Sequence, residues 1–208
     1  FEVFSPDGVR AWGRFNAADG VMHLFITKSD WTGVIDITDI TPSGATDVWI
    51  DGFSPDGSRA WGGSRAADGY WHGFVTKPDW TGVIDITPSG AADSWIYGFS
   101  PDGARAWGRF QASDGYWHLF VTKPDWSGII DLTPTGAIES WIYRVLPDNS
   151  QILGAFRAAD GSEHAFISKA DGSGMVDLTP AGATSSHIKG LLPSWQIFIT
   201  YTGSEGST

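Results

Sequence analysis

A segment of about 46 residues recurs along the 208-residue chain, and this period constrains the fold more than any other feature. The sequence FSPDG begins at Phe4, Phe53 and Phe99, and a diverged copy, VLPDN, begins at Val145, so the steps are 49, 46 and 46 residues. A doubled tripeptide, DITDIT at 36–41, accounts for the three extra residues of the first step. Periods of this length are typical of repeat proteins, including propellers with four strands per blade. We therefore expect one domain over residues 1–208, with repeats at 1–52, 53–98, 99–144 and 145–190 and a partial repeat at 191–208.

Each repeat contains four short runs rich in aromatic and β-branched residues, which predict four strands. In one copy they read WIYGFS, RAWGRF, YWHLFVTK and GIIDLT, and we call them strands a, b, c and d. Turn sequences such as SPDG, AADG and PSGA separate them, because Pro, Asp and Gly suit tight turns. The runs are almost continuously apolar, so we expect both faces of each sheet to be covered. These features predict an all-β propeller of four-stranded antiparallel blades.

The sequence FSPDGARAWGRFQASDGYWHLFVTKPDWSGIIDLTP (99–134) resembles the WD40-like repeat of TolB-type propellers. The fourth copy, GSEHAFISKADGSGMVDLTPAG (161–182), is similar to the HAF repeat of extracellular bacterial proteins. These resemblances imply blade architecture but no single function, because propeller repeats serve many unrelated roles. An extracellular or periplasmic location is expected, which the absence of cysteine permits.

The ends of the repeat array leave three arrangements open. Residues 1–5 read as a shortened strand a, and residues 185–202 read as strands a and b of a fifth unit. The chain then forms a five-bladed ring with a reduced last blade, part of a larger ring, or an open arc that closes by pairing with another copy. Open blade edges recruit partners, so a homo-oligomer is among these outcomes. We favour five blades.

Charge and composition exclude several classes of partner. The net charge is −11 with only 13 basic residues, whereas nucleic acids and anionic membranes select clustered Lys and Arg. Neither a nucleic acid nor a membrane is therefore expected as a partner. No cofactor or metal is expected either, because the chain lacks cysteine and a D-x-[DN]-x-[DN]-G calcium loop. The repeated histidines are expected to form hydrogen bonds inside their own blades, since equivalent positions in packed sheets lie about 10 Å apart; they are His23, His72, His118 and His164.

The turn between strands c and d contains the first candidate binding site. Its sequence is KPDWTG or a close variant in three repeats, and the fourth copy has Gly172 where the others have tryptophan. An aromatic ring beside polar groups suits a sugar, whose C–H face stacks while its hydroxyls form directed hydrogen bonds. The candidate residues are Trp31, Trp80 and Trp126, with Asp30, Asp79 and Asp125 and with Lys28, Lys77 and Lys123. The alternative is that these tryptophans cap the hydrophobic seams between blades.

The start of strand a contains the second candidate site. Equivalent residues of this innermost strand are expected to converge near the propeller axis and to form an axial pocket. They are Trp49, Trp95, Trp141 and His187, with the acids Asp47, Asp93 and Glu139 nearby. The alternative is that aromatic packing plugs the channel.

The near-identical repeats argue against catalysis, because an active site needs groups in unequal roles. No G-x-S-x-G, H-E-x-x-H or P-loop pattern occurs. The sequence therefore predicts a non-catalytic binding module that recognises carbohydrate through repeated Trp-containing turns, in the manner of a multivalent lectin. The alternative is a structural or protein-interaction scaffold that binds a protein ligand or self-assembles. A propeller glycosidase is a third reading, and it requires Glu139 to be essential.

Overall fold

The computed structural model describes residues 3–18, 22–38, 41, 44–148, 150–191 and 196–203. Every regular element in these ranges is a β-strand. The strands are β1 (Val3–Phe4), β2 (Ala11–Asn16), β3 (Met22–Thr27), β4 (Val34–Asp36), β5 (Val48–Phe53), β6 (Ala60–Arg65), β7 (Trp71–Thr76), β8 (Val83–Asp85), β9 (Ser94–Phe99), β10 (Ala106–Gln111), β11 (Trp117–Thr122), β12 (Ile129–Asp131), β13 (Ala137–Val145), β14 (Gln151–Ala158), β15 (Glu163–Lys169), β16 (Val176–Asp177), β17 (Ala183–Leu191) and β18 (Ile197–Gly203). Residues 39 and 40 of the doubled tripeptide lie outside the described ranges, as do residues 192–195 and 204–208 of the predicted partial repeat.

The strands form antiparallel meanders in chain order. We call β1–β4 sheet 1, β5–β8 sheet 2, β9–β12 sheet 3 and β13–β16 sheet 4, and β17 and β18 form a separate hairpin. A single parallel bridge between Trp117 and Glu139 joins sheets 3 and 4. Strands a to d of the sequence thus correspond to the first to fourth strand of each sheet. Among the described residues no strand pairing joins sheet 1 to the β17–β18 hairpin, so the sheets do not close into a ring by hydrogen bonding.

A β-bulge interrupts the pairing of strands a and b at the same place in sheets 2, 3 and 4. In sheet 3, Gly98 pairs with Trp107 and Ile96 with Gly108, so Tyr97 is the extra residue. Gly108 faces the bulge, and a Cβ there would meet the carbonyl oxygen of Trp95. The AWG sequence of the second and third repeats therefore has a steric cause. A bulge turns one side chain out of the regular alternation. The extra residue is Asp51 in β5, Tyr97 in β9, Tyr143 in β13 and, in the hairpin, Lys189 in β17.

The hydrophobic core lies in the seams between successive sheets. Ile26 and Ile37 of sheet 1 pack against Ile50 and Phe74 of sheet 2. Equivalent clusters lie between sheets 2 and 3 and between sheets 3 and 4. Both faces of the inner sheets are thus covered, which explains why their strands are almost continuously apolar.

No helix in the described residues is long and apolar enough to span a membrane.

Candidate functional site

The three turn tryptophans adopt a backbone conformation that L-residues rarely use. Their φ angles are 59° at Trp31 and 60° at Trp80 and Trp126, and Gly172 in the fourth copy has φ 79°. A non-glycine residue in this left-handed region costs about 1–2 kcal/mol. The turn geometry alone therefore favours glycine, and a tryptophan needs side-chain contacts that offset this cost.

Those contacts lie in the seams between sheets. Trp80 is only 6% exposed and belongs to the core cluster between sheets 1 and 2. The guanidinium carbon of Arg10, from the a–b turn of sheet 1, lies 4.7 Å from the centre of its ring. Arg59 of sheet 2 covers Trp126 of sheet 3 at the same distance. Each arginine is held in place because it donates to the carbonyl of a strand-c threonine in its own sheet, Thr27 for Arg10 and Thr76 for Arg59.

This packing argues against sugar stacking on Trp80, which is buried, and leaves Trp126 half-buried beneath Arg59. Trp31 differs, since it is 48% exposed, with Phe4 as a ring neighbour at 6.3 Å. A glycan site on the c–d turns stays a prediction, and Trp31 is the tryptophan whose exposure suits it.

The charged residues of the c–d turns serve the turns themselves. Asp30 accepts hydrogen bonds from the hydroxyl and the backbone nitrogen of Thr32. Both bonds lower the pKa of the Asp30 carboxyl, the hydroxyl bond more strongly. Asp79 and Asp125 accept a hydrogen bond from the backbone nitrogen of the residue two positions on, and this bond is the main cause that lowers the pKa of each carboxyl. The backbone nitrogens of the lysines close the turns by donating to glycine carbonyls, while their side chains are exposed; the lysines are Lys28, Lys77 and Lys123.

The four predicted axial residues do not form one cluster. Trp49 and Trp95 lie 5.5 Å apart and both contact Trp71, whose ring is 4.4 Å from that of Trp49. His187 instead forms a 2.7 Å hydrogen bond through Nδ1 with Glu163. Trp141 lines a separate pocket. The structure thus brings two of the four residues together and places the other two at different points along the inner strands.

The pocket at Trp141 lies between sheets 3 and 4, and we call it the axial pocket. Its volume is about 360 Å³, and it is open to solvent. The residues that line it are Tyr97, Arg109, Glu139, Ser140, Trp141 and Arg157. Tyr97 reaches it because it is the bulged residue of β9, and Glu139, Ser140 and Trp141 come from the start of β13. The axial pocket thus combines two aromatic rings, two cations and one carboxylate.

Hydrogen bonds and burial fix the polar groups of the axial pocket. Arg157 pairs with Glu139 at 3.1 Å, and the guanidinium carbon of Arg109 lies 4.3 Å from the ring centre of Trp117. The Nε atom of Arg109 is buried with no partner among the described residues. Burial raises the pKa of the Tyr97 hydroxyl, although Arg109 offsets part of the rise. The tyrosine therefore stays a neutral hydrogen-bonding group at physiological pH.

The repeated histidines bond within their own sheets, which confirms the prediction for them. In each repeat Nδ1 lies 2.6–2.7 Å from an aspartate on strand d; the partners are Asp36, Asp85, Asp131 and Asp177. The aspartates of the SPDG turns bond to turn groups, as with Asp56 and the hydroxyl of Ser54 at 2.6 Å. Among the described residues no group of three His, Cys, Asp or Glu side chains could hold a metal ion.

Comparisons with known proteins give likenesses of structure only. No family model and no curated protein matches the sequence. A solved structure of a candidate dipeptidyl aminopeptidase IV from Bacteroides ovatus superposes with a TM-score of 0.56 at 13% identity, over 96% of this chain and 36% of that one. A candidate TolB from Agrobacterium tumefaciens gives 0.51 at 15% identity, over 95% of this chain and 72% of that one. TolB from Acinetobacter baumannii gives 0.50 at 20% identity, over 84% of this chain and 41% of that one.

With the four-stranded meanders and the seam packing, these likenesses show the fold. The chain has a β-propeller fold similar to that of the TolB structures. At these identities the likeness concerns the fold, and ligands and activities of the similar proteins do not transfer. The similarity to HAF repeats stays a resemblance of sequence.

Sequence reasoning missed four residues of the axial pocket, namely Tyr97, Arg109, Ser140 and Arg157. A signal for two of them was present, because sheets 2 and 3 are nearly identical in sequence yet differ at these positions. Tyr97 corresponds to Asp51, and Arg109 corresponds to Gly63. Gly63 leaves room for the ring of Trp49, which a Cβ would meet. Positions that differ between otherwise matching repeats are therefore the better indicator of a ligand site here.

Proposed function

We propose that the chain is a non-catalytic binding propeller whose ligand occupies the axial pocket. The observation that supports this most is that a bulge aims Tyr97 into a space of about 360 Å³ that Trp141, two arginines and Glu139 also line. Ligand sites usually combine apolar surface with a few fixed polar groups, and bulges often lie beside such sites. The propeller likeness is compatible with a binding or interaction role.

Carbohydrate is the ligand class that the lining chemistry favours. The ring faces of Tyr97 and Trp141 suit the C–H face of a pyranose. Arg109 and Arg157 donate in fixed directions, and Glu139 accepts from hydroxyls. A single axial pocket is proposed in preference to a repeated lectin site, because Arg10 and Arg59 lie over the rings of Trp80 and Trp126.

A binding role is proposed in preference to catalysis because of the carboxylates. Most glycosidases use a pair of carboxyl groups flanking the scissile bond. Glu139 is the one carboxylate among the described residues that line the axial pocket, and it is paired with Arg157. Export to the periplasm or the cell exterior remains part of the proposal.

A glycan-array screen tests the proposal. The parent chain is compared with the double variant Tyr97→Ala/Trp141→Ala and with the control Tyr70→Ala/Tyr116→Ala, which removes two exposed tyrosines outside the axial pocket. Circular dichroism verifies folding. The proposal predicts glycans that bind the parent and the control but not the pocket variant. Absence of binding by the parent, or equal binding by all three, contradicts it.

Protein interaction is a second candidate, and the two outermost faces of the array favour it. Trp31, Phe4 and Val34 of sheet 1 are exposed, although the equivalent Trp80 is buried and Phe53 and Val83 pack in a seam. At the other end Phe198 is 57% exposed, whereas the equivalent Trp12 is 4% exposed. We propose that a further sheet covers these faces, either by closure into a five-bladed ring or by a second copy. Exposed apolar faces of this kind mark interaction surfaces.

Sedimentation velocity over a range of concentrations separates these two outcomes. Association of copies predicts a mass that rises with concentration and returns to that of one chain in Trp31→Asp. Ring closure predicts one chain at all concentrations and protection of the Trp31 indole N–H signal from a soluble paramagnetic quencher, followed by NMR because the chain has twelve tryptophans. A single chain with a fully quenched Trp31 contradicts both.

A further inference from the structure

The seam between sheets 3 and 4 lacks the tryptophan that fills the two preceding seams. Gly172 stands at this turn position with φ 79°. Arg105 of sheet 3 is equivalent to Arg10 and Arg59, and like them it donates to a strand-c carbonyl, that of Thr122 at 2.7 Å. Among the described residues no aromatic ring lies against Arg105, whereas Trp80 and Trp126 lie against its two counterparts. One arginine is thus positioned for an indole that this chain does not supply at that seam.

An open space lies beside Arg105, and we call it the seam pocket. It measures about 360 Å³, and its lining comes from the a–b turns of sheets 3 and 4 and from the c–d turn of sheet 4. The residues that line it are Ser100, Asp102, Arg105, Ser150, Lys169, Ala170 and Asp171. This is within the size range of small-ligand sites. The buried side chain of Leu132 lies directly beside Gly172, because a Cβ on this glycine would meet it. The seam pocket therefore lies on the solvent side of Leu132.

The charges of the seam pocket do not favour an ion. Arg105 and Lys169 are balanced by Asp102 and Asp171. The lining therefore selects neither an anion nor a cation strongly, and the face of the Arg105 guanidinium is its distinctive feature. A guanidinium face attracts aromatic rings, tryptophan most strongly.

We propose that the seam pocket binds a tryptophan side chain presented by a partner polypeptide. The indole stacks on Arg105 as Trp80 and Trp126 stack on Arg10 and Arg59 at 4.7 Å. Lys169 and Asp171 offer hydrogen bonds to the backbone around that tryptophan. The site is on the face of the a–b and c–d turns, shares no residue with the axial pocket, and does not depend on glycan binding.

Titration with N-acetyl-L-tryptophanamide tests the proposal on the whole chain, followed through the Nε–H signals of the arginine side chains in ¹⁵N-edited NMR spectra. We expect a saturable upfield shift of the Arg105 signal at millimolar ligand, and no such shift with N-acetyl-L-leucinamide. Arg105→Gln should weaken binding about two- to fivefold, the size of an exposed cation–π contact. Arg59→Gln is the matched control and should leave the affinity unchanged, because Trp126 occupies its seam.

A second variant keeps the test independent of Arg105. Gly172→Trp combined with Leu132→Ile reproduces in this seam the pair found between sheets 2 and 3, where Trp126 packs with Ile86. Its own indole should occupy the seam pocket and abolish the shift caused by the tryptophan ligand. The proposal is overturned if the parent gives no saturable shift, if the leucine compound acts equally, or if Arg59→Gln and Arg105→Gln weaken binding alike.

Discussion

At the scale of single residues, the turn tryptophans combine an unfavourable backbone conformation with favourable side-chain packing. Trp80 accepts a left-handed φ because its indole fills a seam beneath Arg10. Trp80→Gly relieves the backbone strain but removes a buried indole, so we expect a net loss of about 2–3 kcal/mol in the free energy of unfolding. Trp31→Gly is the matched control, since Trp31 has the same φ but is half exposed. Urea denaturation measures both.

The control should change stability little or should stabilise the chain. An equal loss in both variants would show that the turn, and not the seam, requires tryptophan. The sequence alone could not separate these cases, because Arg10 lies far from Trp80 along the chain and its position over the ring is a tertiary feature.

The contacts of the seam arginines argue for a second residue-scale prediction. Arg59 combines a hydrogen bond to the carbonyl of Thr76 with a ring contact to Trp126. Arg59→Lys keeps the charge but loses the planar donor group, so we expect Trp126 to become more accessible to an aqueous quencher. Because the chain has twelve tryptophans, a paramagnetic quencher is used and its effect is followed on the Trp126 indole N–H signal in ¹⁵N-edited NMR spectra. Unchanged quenching would contradict a covering role for Arg59.

At the scale of elements, the inner strand pair with its bulge is the unit that organises the molecule. Gly108 faces the bulge of β9, where a Cβ would meet the carbonyl oxygen of Trp95. Gly108→Ala should therefore lower the free energy of unfolding by about 1–3 kcal/mol or more, as other overpacked sites do. Gly190→Ala in β17 is the control, because nothing lies within 4 Å of its Cβ position. Thermal unfolding that ranks both variants equally would contradict this role of the bulge.

Most strands could be predicted from the sequence, because turn residues bound them clearly. The run WIYGFS predicts β9, and the SPDG turn after it places the start of β10. The bulge could not be predicted, since Tyr97 reads as one more residue of a regular strand. The axial pocket was missed for the same reason, as it depends on where the bulge directs Tyr97 and on Arg157 from a different sheet.

At the scale of the whole molecule, the histidine–aspartate pairs predict how stability depends on pH. Burial lowers the pKa of His72 and His118, but hydrogen bonds and the charges of two aspartates each outweigh it, so both pKa values lie above 6.5. A raised pKa in the folded state gives stability that is present below the unfolded pKa and is lost as pH rises through the folded pKa. The melting temperature should therefore be higher near about pH 6 than near about pH 8.

The double variant His72→Gln/His118→Gln provides the control for this prediction. It should flatten the melting temperature across this range. On the acid side, carboxyls with lowered pKa values, such as Asp177, lose their contribution as pH falls through those values. A parent profile that is flat above neutrality, or a variant with the same slope, would contradict the role of the pairs.

Closure of the array is the whole-molecule feature that the repeats do not determine. The period predicts sheets that pack face to face, and the seams show this packing three times. The number of blades depends instead on what covers Phe198 at one end of the array and Val34 at the other. The repeat period does not determine what covers these two residues. The five-bladed ring remains a proposal.

The most direct test of the central claim compares the two candidate glycan sites in one experiment. Isothermal titration with a glycan selected on the array is carried out for the parent, for Trp141→Ala in the axial pocket and for Trp31→Ala in the exposed c–d turn. The axial site predicts that Trp141→Ala loses binding while Trp31→Ala keeps the parent affinity. Loss of binding in Trp31→Ala with full affinity in Trp141→Ala would contradict the account and place the site on the turns.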